Sequence, residues 1–414
     1  MKIGFSNRVI TPPLGTEMVG YTPARKSTGI DRDLMLKVLT LHDQDQKQNV
    51  WLTVDMLGLD VFFREQVLEY LKAENIHVDN IQMFSTHTHS GPICLNAKKY
   101  PEADEDAKAY FDFLVSQAKD AIIESIALQQ NFQYRIANGT MANFQTNRID
   151  PKRKAQDELR VLEVLLENNE KALLYSFSGH PTILDASSTL ISPDYVGVVA
   201  EVLSDYYEHT MFFNAPCGDM STRYTKKESS LSEVERLGSI AAKHVLETTK
   251  RFEDYKELKH YANDTHIFKI KLKDFDTVEY AQNIYDVTNF AYREALEANT
   301  DKITLRQLRA KLEGHMISLY HSKQNYEYTE YPYEVGIIQL DEFKIVTLSS
   351  EVFTSLVRPI NNKTTWTISL AHQYRTYLCD EEAHEDFTYE GLASIYKKGE
   401  AEKLMQKIQK LLKA

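Results

Sequence analysis

The sequence predicts a mixed α/β protein, with mixed β-sheets in the core flanked by helices and a helical insertion near residues 277–325. Three observations predict it. Short apolar runs alternate with a stretch of helical period in the first third of the chain, and a hairpin and further strand-like runs follow in the middle. Helical periodicity dominates only between Thr277 and about Ser322. The 414 residues are 43% hydrophobic and 26% charged, which is globular, with no low-complexity tract and no visible internal repeat. No Pro, Gly or Ser-rich linker divides them, so residues 1–414 read as a single catalytic domain with a possible helical lobe at 277–325.

The elements follow in order. NVWLTVDM, then VFFREQVLEYLKAENI at helical period, then NIQMFSTHTHSGP form a βαβ unit. A helix is expected from about Asp104 to Leu128, followed by the strand QYRIANGTMANF. LRVLEVLLENNEKALLYSFSGHP reads as a hairpin turned by Asn168 and Asn169, its second strand ending at His180. Asp194 to Tyr207 reads as a helix, and TMFFNAPCGDMS as a buried strand running into a loop. Ser232 and Glu235 stand three apart, as a capping box requires, and open a helix to about Lys250. The helical pair from Thr277 is divided near Asn299–Thr304, with Thr304 as the second cap. YEVGIIQLDEFKIVTLSSEVF and TTWTISLAHQYRTYL are β-rich, and an amphipathic helix starts at about Lys398.

Composition excludes several functions. Lys and Arg total 48 against 60 Asp and Glu, a formal charge of −12, and an evenly acidic surface repels a phosphate backbone, so nucleic acid is not an expected partner. MKIGFSNRVITPPLG is not followed by an apolar stretch long enough for a signal peptide, and no run of about 18 apolar residues suggests a transmembrane segment. A cytoplasmic location is expected. Cys94, Cys217 and Cys379 lack the spacing of a zinc knuckle or a disulfide framework and read as reduced thiols.

The chemistry-bearing residues gather at strand ends. His87 and His89 in STHTHSG sit at the carboxyl end of a strand, where a period of two puts both imidazoles on one face. Imidazole suits zinc, although two polar residues at a loop edge explain an HxH pair equally well. His180 in FSGHPT also ends a hydrophobic strand, a place where a lone histidine is more often structural. Glu351 interrupts the apolar run IVTLSSEVF, and a carboxylate there is costly unless metal-bound or paired, for instance with Arg358. Two nitrogens and a carboxylate oxygen are a catalytic zinc donor set. Asp219 and Ser221 in NAPCGDMSTR follow a buried strand in a glycine-bearing loop. A serine hydrolase would use Ser221 as nucleophile, but the GxSxG elbow is missing, so both residues are expected to bind substrate.

Taken in order, ITPPLG with MVGY, STHTHSGP, TNR at 146–148, SGHPT, NAPCGDMS, SEVF and the YRTYL to TYEG segment resemble the neutral (non-lysosomal) ceramidase family. Seven motifs in the family's order make the resemblance specific. It implies a zinc amidase with ligands His87, His180, Glu351 and Tyr377, the tyrosine being implied by the resemblance alone. Tyr389 in its YE pair falls twelve positions after Tyr377, as the family's active-site tyrosine does, and His89, Arg148 and Ser221 match its substrate-contacting positions. The expected reaction is hydrolysis of an N-acyl amide by zinc-activated water, with Tyr389 or His89 stabilising the oxyanion and His89 protonating the leaving amine. The expected substrate is a ceramide-like lipid or a smaller N-acyl amine. The chain departs from the family in two places. No carboxyl-terminal β-rich domain is expected, and Gly218-Asp219-Met220-Ser221-Thr222-Arg223 stands where the family has GDVSPN, which suggests a smaller or anionic headgroup. A serine-nucleophile amidase using Ser221 and a non-catalytic ligand-binding homologue are the alternatives. Oligomeric state is not written in the sequence.

Overall fold

The computed structural model describes residues 1–92, 105–324, 326 and 328–413, without the side chains of 302 and 303. Cys94 lies outside them. Among these residues the chain lays down three four-stranded sheets, each with its strands in sequence order. The first comprises Lys2–Val9, Met35–His42, Gln48–Val54 and Asn80–Ser85. The second comprises Phe132–Thr140, Glu158–Leu166, Lys171–Ser178 and His209–Ala215, and the third Tyr261–Lys271, Glu330–Leu340, Phe343–Leu348 and Thr365–Ile368. In every sheet the first two pairings are antiparallel and the third is parallel.

A parallel pairing needs a crossover, and each sheet uses a helix for it. These are α1 (Val61–Ala73), α3 (Tyr195–Ser204) and the single turn α7 (Thr354–Val357). A second helix then returns across each sheet. α2 (Glu105–Ala127) packs on the first two strands of sheet one and on α1, α4 (Leu231–Thr249) does the same in sheet two with α3, and α10 (Glu400–Lys413) packs on the first strand of sheet three and on α7. The sequence shows no repeat, yet the topology repeats three times.

Burial explains why the strands read as continuous apolar runs. One face of each sheet packs on its own helices: Leu36, Val38, Leu52 and Met83 with α1 and α2; Val161, Leu173 and Phe212 with α3 and α4; Val335, Val346 and Leu348 with α10. The opposite faces meet in a shared central core, where Phe5, Trp51 and Phe84 of sheet one touch Leu174 and Phe213 of sheet two and Ile338, Ile345 and Trp366 of sheet three. With both faces dry, alternation disappears.

In the third unit the connection between the first and second strands is the long one. It carries α5 (Val278–Glu297) and α6 (Lys302–Ser322), the helical pair that the periodicity indicates. α8 (Glu381–Glu385) and α9 (Tyr389–Ala393) follow the last sheet strand, and α6 packs against α9. Among the described residues no helix is long and apolar enough to cross a membrane.

Two caps differ from expectation. α4 is capped by Ser230, whose side chain accepts the Glu233 amide, because Ser230 and Glu233 form the required three-residue pair two residues earlier than Ser232 and Glu235. Glu235 is instead engaged by Arg32. At α6 the cap is Asp301, which accepts the Thr304 amide at 3.0 Å, so Thr304 lies inside the helix.

Candidate metal centre and active site

The loops at the carboxyl ends of the third and fourth strands of all three sheets converge. His87 comes from the end of the fourth strand of sheet one, His180 from the third strand of sheet two, and Glu351 from just past the third strand of sheet three. All three side chains are buried. Glu351 Oε2 lies 2.8 Å from His180 Nε2 and 3.3 Å from His87 Nε2. The salt bridge with Arg358 does not form, since Arg358 donates instead to the Lys154 carbonyl.

The two histidines present their Nε2 atoms for the same reason. His87 Nδ1 lies 2.6 Å from the Leu57 carbonyl oxygen and His180 Nδ1 2.8 Å from that of Met220. Each ring nitrogen bonded to a carbonyl must carry the proton, which leaves Nε2 as a lone-pair donor aimed inward. Burial and the nearby Arg148 guanidinium push His180 down to about 4, so it is neutral at pH 7.

His89 reaches the same place by a different backbone route. The strand ends at Ser85, and His87 takes a left-handed φ of 72°, so the convergence of the pair comes from this turn and not from strand pleating. The His89 ring sits 5.0 Å from that of His87 and 6.0 Å from that of His180. Neither of its ring nitrogens has a protein hydrogen-bond partner among the described residues. A Cβ on Gly20, itself at φ 99°, would fall 2.5 Å from the His89 ring, so only glycine permits that approach. One donor atom from each of His87, His89 and His180 lies within 4.8 Å of the others, and this buried cluster could hold a metal ion. The unpartnered nitrogens, the fixed tautomers and the nitrogen and oxygen donor set fit such a group.

The tyrosines form the opposite wall. Strand Glu351–Val352 pairs in parallel with Tyr377–Leu378, and Glu351 and Tyr377 are direct register partners. The Tyr377 ring meets Tyr389 edge-on at 5.7 Å and lies 5.2 Å from the Arg148 guanidinium carbon. Tyr389 opens α9, whose cap Thr388 accepts the Gly391 amide. Tyr374, not singled out from the sequence, donates its hydroxyl to Glu351 Oε1 at 2.6 Å. The only sequence signal for it is its place three residues before Tyr377 in the same segment.

The remaining residues surround this centre. Arg148 is buried, its Nε donating to Glu390 at 2.6 Å while Nη1 lies 3.2 Å from His180 Nε2. Its position is set by the pairing of Thr146–Asn147 with Met220–Ser221 and by its amide bond to the Asp219 carbonyl. The Asp219 carboxylate is already engaged by Asn147 and by the amide and hydroxyl of Thr354. Ser221 Oγ accepts the Arg223 amide and caps the turn Thr222–Tyr224. A Cβ on Gly218 would lie 2.6 Å from the Glu351 carbonyl oxygen, so glycine lets this loop press against the carboxylate's strand. Burial raises the thiols of Cys217 and Cys379, the latter to about 12, as expected of inert buried sulfurs.

Comparison with known proteins gives the family and the fold. The family model described as neutral/alkaline non-lysosomal ceramidase, N-terminal, matches residues 1–221. Among solved structures the chain is similar to the neutral ceramidase from Pseudomonas aeruginosa, at a TM-score of 0.75 and 14% identity, covering 99% of this chain and 74% of that one. It is also similar to a ceramidase complexed with C2, at a TM-score of 0.72 and 14% identity, covering 98% and 73%. At that identity the likeness shows the fold alone. No curated protein sequence matches. The family match spans more than half of the chain, which therefore belongs to the neutral/alkaline non-lysosomal ceramidase family.

Proposed function

We propose that the chain is a zinc-dependent amidohydrolase that cleaves an N-acyl amide bond in a ceramide-like lipid or a smaller N-acyl amine. The observation that carries this reading is the meeting of His87 Nε2, His180 Nε2 and Glu351 Oε2 from three separate sheets, with both Nδ1 atoms tied to carbonyls. Tyr377, the register partner of Glu351, would supply the fourth ligand. Family membership supports the reaction class. Bound there, zinc supplies Lewis acidity and lowers the pKa of a coordinated water toward about 7.

Side chains do the rest. Burial and the Glu351 carboxylate push the Tyr389 phenol up, so it keeps its proton and donates it in a hydrogen bond to the carbonyl oxygen as charge develops there. Burial and the neighbouring imidazoles hold His89 well below its ordinary value, which makes it a strong acid once protonated and suits it to deliver a proton to the leaving amine. Arg148 and Ser221 orient the polar end of the substrate, and Asp219 fixes the loop that bears Ser221. Arg148→Ala is expected to raise KM more than it lowers kcat.

Metal analysis and hydrolysis assays test the reading together. Stoichiometric zinc is expected, with turnover of N-acyl amides abolished by a chelator and restored by zinc. Chelator-resistant activity killed by a serine-directed phosphonate would move the chemistry to Ser221. Absence of hydrolysis across a broad N-acyl panel with zinc loaded would make the chain a binding protein.

A further inference from the structure

Most arginines around the site have an acceptor. Arg148 is paired with Glu390, Arg309 with Glu313, and Arg25 donates to the backbone carbonyls of His89, Asp185 and Ser188. Arg223 and Arg306 are different: neither side chain forms an ion pair or a hydrogen bond among the described residues. Arg223 is half-buried in the turn after Ser221, next to the strand pair that positions Arg148. Arg306 comes from α6, the inserted helix that packs on the Tyr389 helix.

These groups face one another. Burial, Arg148 and Arg306 together lower Arg223 to about 10. Arg306 is lowered by burial and by Arg309 and partly restored by Tyr224, Glu313 and Tyr21, and Tyr21 in turn feels Arg223. Tyr21 also meets the His89 ring edge-on at 5.0 Å. Tyr21 thus links the two arginines to the histidine assigned to the leaving amine. Holding three guanidinium groups close together in partial burial, two of them with carboxylates (Glu390 and Glu313) in range but none bonded to them, destabilises the fold. An arrangement that costs stability and serves no internal partner is one that a ligand's charge would offset.

We propose that the amide substrates of this chain carry an anionic group on the amine side, as in N-acyl amino acids or N-acyl aminosulfonates, and that Arg223 and Arg306 bind it. The proposal rests on the amidohydrolase reading. Water adds across the scissile C–N bond, giving a fatty acid and an amine that keeps its own anionic group, with no other co-reactant. Planar guanidinium forks match a carboxylate in bidentate geometry, and a sulfonate offers the same charge.

The test compares N-dodecanoylglycine, N-dodecanoyltaurine and the neutral N-dodecanoylethanolamine on the zinc-loaded full chain and on Arg223→Gln and Arg306→Gln. The expected kcat/KM favours the anionic probes by roughly tenfold or more, and either substitution reduces that ratio by about tenfold, mainly through KM. A ratio near one in the unaltered chain, or a ratio that survives both substitutions, overturns the proposal. Thermal stabilisation by the same probes separates this from failure of the amidase reading. Anionic probes that stabilise the unaltered chain but neither variant, without any hydrolysis, would uphold the anion site and defeat the amidase. Neither hydrolysis nor charge-selective stabilisation would defeat both.

Discussion

The first and third units share a topology and place a histidine just past the fourth strand, yet they use it oppositely. His87 and His372 are both buried, and both have left-handed backbone, at φ 72° and 59°. His87 spends Nδ1 on a carbonyl and turns Nε2 to the centre, whereas His372 spends Nε2 on Thr347 at 2.8 Å and places Nδ1 3.2 Å from Glu334. The third strands reverse the assignment. In unit three the residue beyond it, Glu351, points inward, but in unit one Asp55 is buried beside Lys37 and accepts the Met35 amide. A repeated scaffold thus offers several equivalent strand ends to the centre, and the partners around each decide which of them becomes a donor.

The comparison breaks most sharply at the histidines themselves. His87→Ala is expected to remove bound metal and to lower kcat/KM by roughly a thousandfold or more, as loss of a metal-held catalyst should. His372→Ala is expected to leave metal content intact and lower only thermal stability. Metal analysis of the two purified variants checks this, and a His372→Ala protein without metal would dissolve the distinction.

Asn214 holds the three units in register. Its Nδ2 donates to the carbonyls of Thr86 and Gly179 at 3.1 and 2.8 Å, its Oδ1 accepts the Gly179 amide, and its own carbonyl accepts the Ser369 amide. Thr86 precedes His87 and Gly179 precedes His180, so one fully buried amide sets the spacing of the two histidines. Asn214→Leu leaves the Thr86 carbonyl and the Gly179 amide unpaired, while the Gly179 carbonyl keeps the Tyr195 hydroxyl, a loss on the order of 2–4 kcal/mol. Denaturant unfolding together with zinc affinity checks it. A normal affinity in a destabilised variant would confine Asn214 to folding.

Why some of this was legible in the sequence and some was not follows from the range of the interactions. Strands, helices and the βαβ unit depend on local period, so their order could be read. The Ser230 cap was missed by two residues because overlapping Ser and Glu pairs offer more than one cap, and only the turn of Glu233 toward the Lys227 amide selects between them. The threefold topology was invisible, since helix-facing and core-facing positions are both apolar and leave no period to compare. Glu351 stood out as a carboxylate in an apolar run. Tyr374, Asn214 and Arg306 did not, because their roles depend on partners far away in sequence or on a lack of partners, and neither leaves a mark in local composition.

Tyr374 sharpens the contrast between the two carboxylates. Its hydroxyl holds Glu351 Oε1 while Oε2 faces the imidazoles, and burial and that carboxylate raise the phenol's pKa so that it remains a donor. Tyr374→Phe removes a group that orients a ligand and is expected to weaken zinc binding about tenfold to a hundredfold with little loss of fold stability. Competition with a chromogenic chelator measures it.

The smallest expected effect lies on the side of unit three that does no chemistry. Glu334 receives both forks of Arg64 at 2.6 and 2.9 Å and lies beside His372. Burial works to raise its pKa, but the bonds from His372 and Arg64 overcome that and bring it down to about 2. A carboxyl whose folded pKa is depressed stabilises the fold at pH above its unfolded value of roughly 4.3, and that stability is lost as pH falls toward the folded value. Glu334→Gln should therefore cost about 1–2 kcal/mol at pH 7, less than a fully buried pair because Arg64 is partly solvated. The gap from the unaltered chain should stay constant down to about pH 5 and close between there and about pH 2. Urea unfolding across that range measures it, and a gap that stays constant down to about pH 2 would show that Arg64 and His372 do not hold this carboxylate ionised.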